Sequence, residues 1–184
     1  IYIKMLLGVG GGSVIDVTKL AAYELKKPFV SVPTSAAHDG IASPRASLKH
    51  SKGAVSKTAV SPLAVLADTK IIMKAPYKML ASGCADVISN ISAVMDWELA
   101  HRLKGEEFST HGAVLARTAA EMLIQNVNDI RPASEESVWL GVKAMIVSGV
   151  AMSVAGNTRP ASGADHMFSH LLDLLGAGIL LKGR

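Results

Sequence analysis

Apolar and polar positions change rhythm partway along this chain. Ile1 to Leu7 is short, mostly apolar and stopped by glycine, which predicts a buried strand. Gly8-Val9-Gly10-Gly11-Gly12 then turns the chain. Ser13 can cap a helix over about Val14 to Leu25, with Val14, Val17, Leu20, Ala21 and Leu25 near one face. Pro28 ends that helix, and Phe29 to Val32 reads as a second short strand. Strand, glycine loop, helix and strand make a βαβ unit, which implies a parallel sheet.

A polar loop follows from Pro33 to Pro44. Strand-like runs come next around Ala46–Leu48 and Lys57–Val60, and Leu63 to Ala67 reads as a buried strand ending at Asp68. From Pro76 onward the period becomes helical, over roughly 77–103, 107–127, 134–156 and 162–176, with Gly105, Pro132 and Gly156–Pro160 as punctuation. The fold class expected is an α/β N-terminal part with a parallel, Rossmann-like sheet, followed by an all-α C-terminal domain. The boundary falls near residue 72, giving domains 1–72 and 73–184. The chain opens at Ile1 inside an apolar run and stops at Arg184 without a polar tail, so truncation at both ends is expected.

Composition narrows the function classes. Only 4% of residues are aromatic against 49% hydrophobic, which favours helices packed on each other or on a parallel sheet. The net charge of +4 is spread along the chain. Nucleic acid would want a basic stripe with interleaved aromatics, so no nucleic-acid partner is expected, whereas a small anionic substrate suits the charge. Cys84 is the single cysteine, which excludes an internal disulfide and suits a reducing cytoplasm. No uninterrupted apolar run approaches the ~20 residues of a bilayer span, so no transmembrane segment is expected.

Two segments carry candidate chemistry. His166 and His170 stand four residues apart in a helical run, so their rings share one face. Upstream, Asp86 is the only carboxylate in the small and apolar segment Ala81 to Asn90. Two imidazoles and a carboxylate are a common catalytic metal set, although core or surface histidines fit the same pattern. Gly8-x-Gly10-x-x-Ser13 nearly matches a dinucleotide fingerprint, with Ser in the last glycine's place. Its glycines would let phosphate oxygens reach backbone amides at the positive end of a helix, or they simply make a tight turn. The Thr34–Pro44 loop leaves its strand at the edge where α/β sheets bind ligands, while Asp39-Gly40 is also an ordinary turn dipeptide. Arg159 either grips an anion or pairs with a surface carboxylate. His38, His50, His101 and His111 have no evident partners, and Trp97, Trp139 and the methionines are expected in the core.

Taken together, Gly10 to Asp16, Pro33 to Pro44, Ala81 to Asn90 and Arg159 to Gly163 resemble the sn-glycerol-1-phosphate dehydrogenases. These belong with the glycerol dehydrogenases, iron-type alcohol dehydrogenases and dehydroquinate synthases. The resemblance runs from Gly8 to about Asp173 and implies NAD(P)H-dependent reduction of dihydroxyacetone phosphate, feeding ether-lipid synthesis. It implies that Gly12, Ser13, Val14, Ile15 and Asp16 hold the cofactor pyrophosphate, and that Thr34, Ser35, Ala36, Ala37 and Ser43 line the rest of that site. Asp39 and His170 would contact substrate, with His170 orienting it or relaying a proton. Asp86 would bind both substrate and metal, and His166 would be the second ligand of Zn2+ or another divalent metal. The partner implied is a small phosphorylated ketone, with a homo-oligomeric state left open. Two departures stand out: Asp165 replaces the family's usual Glu, and Lys182 stands where the third ligand histidine belongs.

Overall fold

The computed structural model describes residues 3–50 and 53–175. The βαβ unit is present: β1 (Leu6–Gly10), α1 (Gly12–Leu25) and β2 (Phe29–Pro33). β1 and β2 pair in parallel, from Leu6 opposite Phe29 to Gly10 opposite Pro33, and β2 pairs in parallel with β5 (Ala64–Val65). The described order is β1-β2-β5, the parallel sheet expected of a Rossmann-like part.

The strand starts later than its apolar run. Residues 3–5 are outside any strand, and Gly8 and Gly10 lie within β1 rather than in a loop. A Cβ on Gly8 would stand 3.0 Å from the Thr18 hydroxyl and from the Phe29 ring, so glycine lets α1 press onto the strand. Gly11, in extended backbone, is the N-cap of α1, and Ser13 sits exposed in the first turn without capping it. The buried stripe of α1 is Ile15, Asp16, Lys19 and Ala22, whereas Val14, Val17 and Leu25 are exposed. The expected apolar face is thus rotated, because the inner face carries a paired Asp and Lys.

β3 (Arg45–His50) and β4 (Gly53–Thr58) form an antiparallel hairpin; β3 contains the run expected at Ala46–Leu48, whereas β4 starts earlier than the run expected at Lys57–Val60 and leaves Ala59 and Val60 outside it. The Arg45 guanidinium ties it across, donating to the hydroxyls of Ser56 at 3.2 Å and Thr58 at 2.8 Å. β5 is shorter and less buried than expected, with Leu63 and Leu66 exposed. It is an edge strand of the described sheet, paired over only two residues.

Helices dominate the rest: α2 (Thr69–Ile72), α3 (Tyr77–Ile88), α4 (Asn90–Lys104), α5 (Thr110–Gln125), α6 (Glu135–Ala155) and α7 (Ala164–Leu174). The expected single helix over 77–103 is broken at Ser89. Side-chain hydroxyls and carboxylates set several starts: Asp68 caps α2, Ser109 caps α5 and Ser134 caps α6. The main core joins Ile15, Phe29 and Ile41 to Leu80, Val87, Leu123 and Met145, so apolar packing is continuous across residue 72. A second cluster gathers Val94, Trp97, Ala113 and Ala151. Trp97 is buried as expected, but Trp139 is exposed beneath the Lys143 ammonium, and Met79, Met95 and Met167 are exposed too. α6 is long and apolar enough to cross a bilayer by length and composition. Half of its most apolar window is buried against the rest of the chain.

Candidate active site

The site grows from the ends of two parallel strands. Thr34 N–H donates to the Gly10 carbonyl at 2.9 Å, which ties the Thr34–Pro44 loop beside the start of α1. Helix geometry leaves the Gly12 and Ser13 amides without an intrahelical acceptor, and neither a side-chain cap nor an acidic residue occupies that turn. An anion is favoured there. The His38 ring leans over this segment, because a Cβ on Gly12 would collide with its Nε2. Its Nδ1 accepts the Gly40 N–H at 3.0 Å and so starts a 3-10 turn over Asp39–Ile41.

α3 docks on that loop through Gly83, where a Cβ would collide with the Ala36 carbonyl. One turn later, Asp86 Oδ2 accepts the Asp39 N–H at 3.0 Å. Asp39 Oδ2 accepts the Ser148 hydroxyl of α6 at 2.7 Å, and Ser148 accepts from the buried Asn90 amide at 2.9 Å. Burial pushes the Asp39 carboxyl well above the usual carboxylate range, and the neighbouring Asp86 charge pushes it further. A cation near the two would relieve that repulsion.

α7 brings the histidine. Asp96 of α4 accepts the Ala164 N–H at 2.7 Å, and Gly163 lets this helix start against Ala93. His166 Nε2 then stands 3.8 Å from Asp86 Oδ1, while its Nδ1 is 2.6 Å from Asp165 Oδ2. A carboxylate at Nδ1 keeps the proton there and leaves the Nε2 lone pair for a metal. Two ligands of one tetrahedral zinc ion stand roughly 3.3 Å apart, so the pair, at 3.8 Å, needs to close by about 0.5 Å to share an ion. Among the described residues no third His, Cys, Asp or Glu completes the set.

The structure therefore brings Asp39, Asp86 and His166 together, with Gly12 reached through His38. His170 lies on α7 one turn beyond His166, and its side chain lies outside the described residues, as does Lys182. Ser13 and Val14 are exposed at the helix start, whereas Ile15 and Asp16 point into the interior. Thr34 and Ala37 are half-buried, and Ser35, Ala36 and Ser43 are buried. Ser43 Oγ is engaged with the Arg45 backbone rather than with the opening. Arg159 pairs with Glu106 at 2.8 Å, the surface ion-pair alternative. Sequence reasoning missed Lys19, His38, Asn90 and Ser148. In the sequence Lys19 reads as part of a solvated helix face, and only the structure shows that it points inward.

Comparison with known proteins extends these observations. The iron-containing alcohol dehydrogenase family model matches residues 2–76. The glycerol-1-phosphate dehydrogenase [NAD(P)+] of Methanosphaerula palustris is 54% identical over 98% of this chain and 50% of its own. That of Picrophilus torridus is also 54% identical, over 97% of this chain and 51% of its own. The chain thus spans about half the length of the curated relatives it matches. Among solved structures, an iron-containing alcohol dehydrogenase from Corynebacterium glutamicum superposes with a TM-score of 0.72 at 24% identity, covering 95% of this chain and 46% of that one. A probable glycerol dehydrogenase from Sinorhizobium meliloti gives 0.70 at 23% identity, over 83% and 46%. These two likenesses concern the fold.

Proposed function

We propose, from the kinship of this chain with the glycerol-1-phosphate dehydrogenases over 98% of its length, that the whole protein reduces dihydroxyacetone phosphate to sn-glycerol 1-phosphate. Its product would enter ether-lipid synthesis, and the reducing cytoplasm is the compartment its one buried thiol suits. NAD(P)H, when bound, supplies the hydride, and a divalent ion such as zinc supplies Lewis acidity toward the ketone oxygen. In this reading residues 1–72 carry the cofactor and residues 73–184 the metal.

The observation that carries the proposal is the convergence of Asp86 and His166 beside Asp39, next to the uncapped start of α1. Gly12 and Ser13 would present backbone amides to the cofactor pyrophosphate. Asp86 and His166 would hold the metal, with Asp165 fixing the imidazole tautomer. Asp39 would face the substrate from a turn whose own N–H steadies Asp86. His170, on the same helix as His166, would orient the substrate or hand a proton to the new alkoxide.

A second reading is a cofactor-binding protein without dehydrogenase activity, and Lys182 in the third ligand's place favours it. Lysine is protonated at neutral pH and is a poor zinc ligand. Metal titration and turnover assays of the full-length protein decide between the two. Asp86→Asn is expected to abolish metal uptake and ketone reduction while NADH binding survives. A variant that keeps its metal and its rate overturns the role of Asp86. Faster turnover of dihydroxyacetone than of its phosphate would point instead to a polyol dehydrogenase.

A further inference from the structure

The Gly10–Asp16 motif holds a carboxylate that does not face the opening. Asp16 is buried on the inner side of α1, where its Oδ1 lies 3.0 Å from Lys19 Nζ and its Oδ2 accepts the Ser47 N–H at 3.0 Å. Lys19 is fully buried. Its ammonium donates to the Gly40 carbonyl at 2.6 Å and the Arg45 carbonyl at 2.5 Å, besides the Asp16 contact. Three acceptors meet the three protons an ammonium carries. No proton is left over for a substrate, and the amine has no path to solvent, so it serves neither as acid nor as nucleophile.

The acceptors are informative. Gly40 lies in the 3-10 turn, Arg45 opens β3, and Ser47 follows within it. One buried pair on α1 therefore staples both ends of the 40–47 segment, which carries Ile41 and Ser43 and follows Asp39 directly. The stapled turn is the one whose Asp39 N–H donates to Asp86. We propose that Lys19 is a positioning residue for Asp86, holding the Asp39–Ile41 turn so that its amide fixes the metal-binding carboxylate. The proposal rests on Asp86 being a metal ligand, as argued above. It links the helix at the cofactor end of the site to the orientation of a ligand on another element. Loss of Lys19 would leave the Gly40 carbonyl without its donor, the Arg45 carbonyl with only the Ser43 hydroxyl at 3.3 Å, and Asp16 without its cation, and the turn would be free to drift from α3.

The test is Lys19→Met in the full-length protein, read in two independent ways. Co2+ absorption spectra report the metal geometry, and 1H–15N spectra with amide exchange report the Asp39 N–H without any metal. Expected results are Co2+ affinity lower by roughly 10- to 100-fold with shifted d–d bands, and Asp39 exchange faster by at least about tenfold. Leu123→Ala, in the main core, is the control for a merely structural effect. It should lower stability and leave the Co2+ spectrum unchanged. If Lys19→Met does not fold, Lys19→Gln, which keeps an N–H donor but carries no charge, carries the same readings. Wild-type Asp39 exchange in either folded variant overturns the proposal, as does a wild-type Co2+ spectrum in a protein whose spectrum depends on Asp86. Equal Co2+ binding by the wild type and Asp86→Asn overturns the metal reading instead, and the Asp39 amide still decides whether Lys19 holds the turn.

Discussion

Two glycines on α6 offer a controlled test of how tightly this helix grips the Thr34–Pro44 loop. A methyl on Gly149 would stand 2.5 Å from Ala42 Cβ, 2.7 Å from Ala42 C and 2.9 Å from Ala42 O. Carbon contacts relax at about 3.5–4.0 Å, so the loop would have to retreat by roughly 1 Å. Ala42 follows the Asp39–Ile41 turn and is buried, and a backbone cannot rotate aside as a side chain can. Overpacking of this kind costs ~1–3 kcal/mol. Retreat of the turn also stretches the neighbouring Ser148–Asp39 hydrogen bond, a loss of about 1 kcal/mol or more. Alanine returns ~0.5–1 kcal/mol of helix preference, so Gly149→Ala should lose about 2 kcal/mol net.

Gly141 lies on the same helix and gains the same preference. Its nearest neighbour is the end of a flexible side chain, Leu80 Cδ1 at 2.7 Å, which can change rotamer. Gly141→Ala should stay within about 1 kcal/mol of wild type. Urea titration with unchanged m-values measures both. Gly149→Ala as stable as Gly141→Ala would refute the idea that α6 meets loop backbone at that point.

Two further expectations follow. Gly12→Ala should displace His38 from its place over the α1 N-terminus and weaken NADH binding by at least about tenfold, while Gly11→Ala, whose methyl would meet only Ser35 Oγ at 3.5 Å, should weaken it less. Equal affinities by NADH fluorescence would contradict that placement. Burial pushes the Cys84 thiol up from 9.0 to about 11, so iodoacetamide should label it slowly at pH 8 until urea unfolds the protein. Because the folded value is the higher one, its contribution to stability is whole below pH 9.0 and lost as pH rises toward about 11. Equal labelling of folded and unfolded protein would overturn the assignment.

The parts of the fold legible from sequence are those marked by steric punctuation. Glycines, Pro28 and the period change near Pro76 announce the βαβ unit and the helical remainder. The break at Ser89 was not legible, since neither Ser89 nor Asn90 stops a helix by sterics. The inner face of α1 is hidden for a related reason: two charges that satisfy each other look like a solvated face. Asp86 stood out because a carboxylate among small residues marks a place where helix and loop approach closely, and Gly83 is that approach. Ser148 left no trace, being one hydroxyl in an apolar helix whose partner lies 109 residues away.

That separation bears on how the protein is made. A ribosome adds about 5–20 residues per second, so Asp39 emerges roughly 5–20 seconds before Ser148 can donate to it. For that interval the nascent chain carries a carboxylate whose native environment does not yet exist, and Asp86 arrives before His166 does. The loop bearing Asp39 can be drawn against α1 early, through contacts between residues 16–19 and 40–47, while its other side stays open. Pausing translation between α3 and α7 would lengthen the exposure of that half-built surface, and chaperone dependence should follow codon speed in this interval.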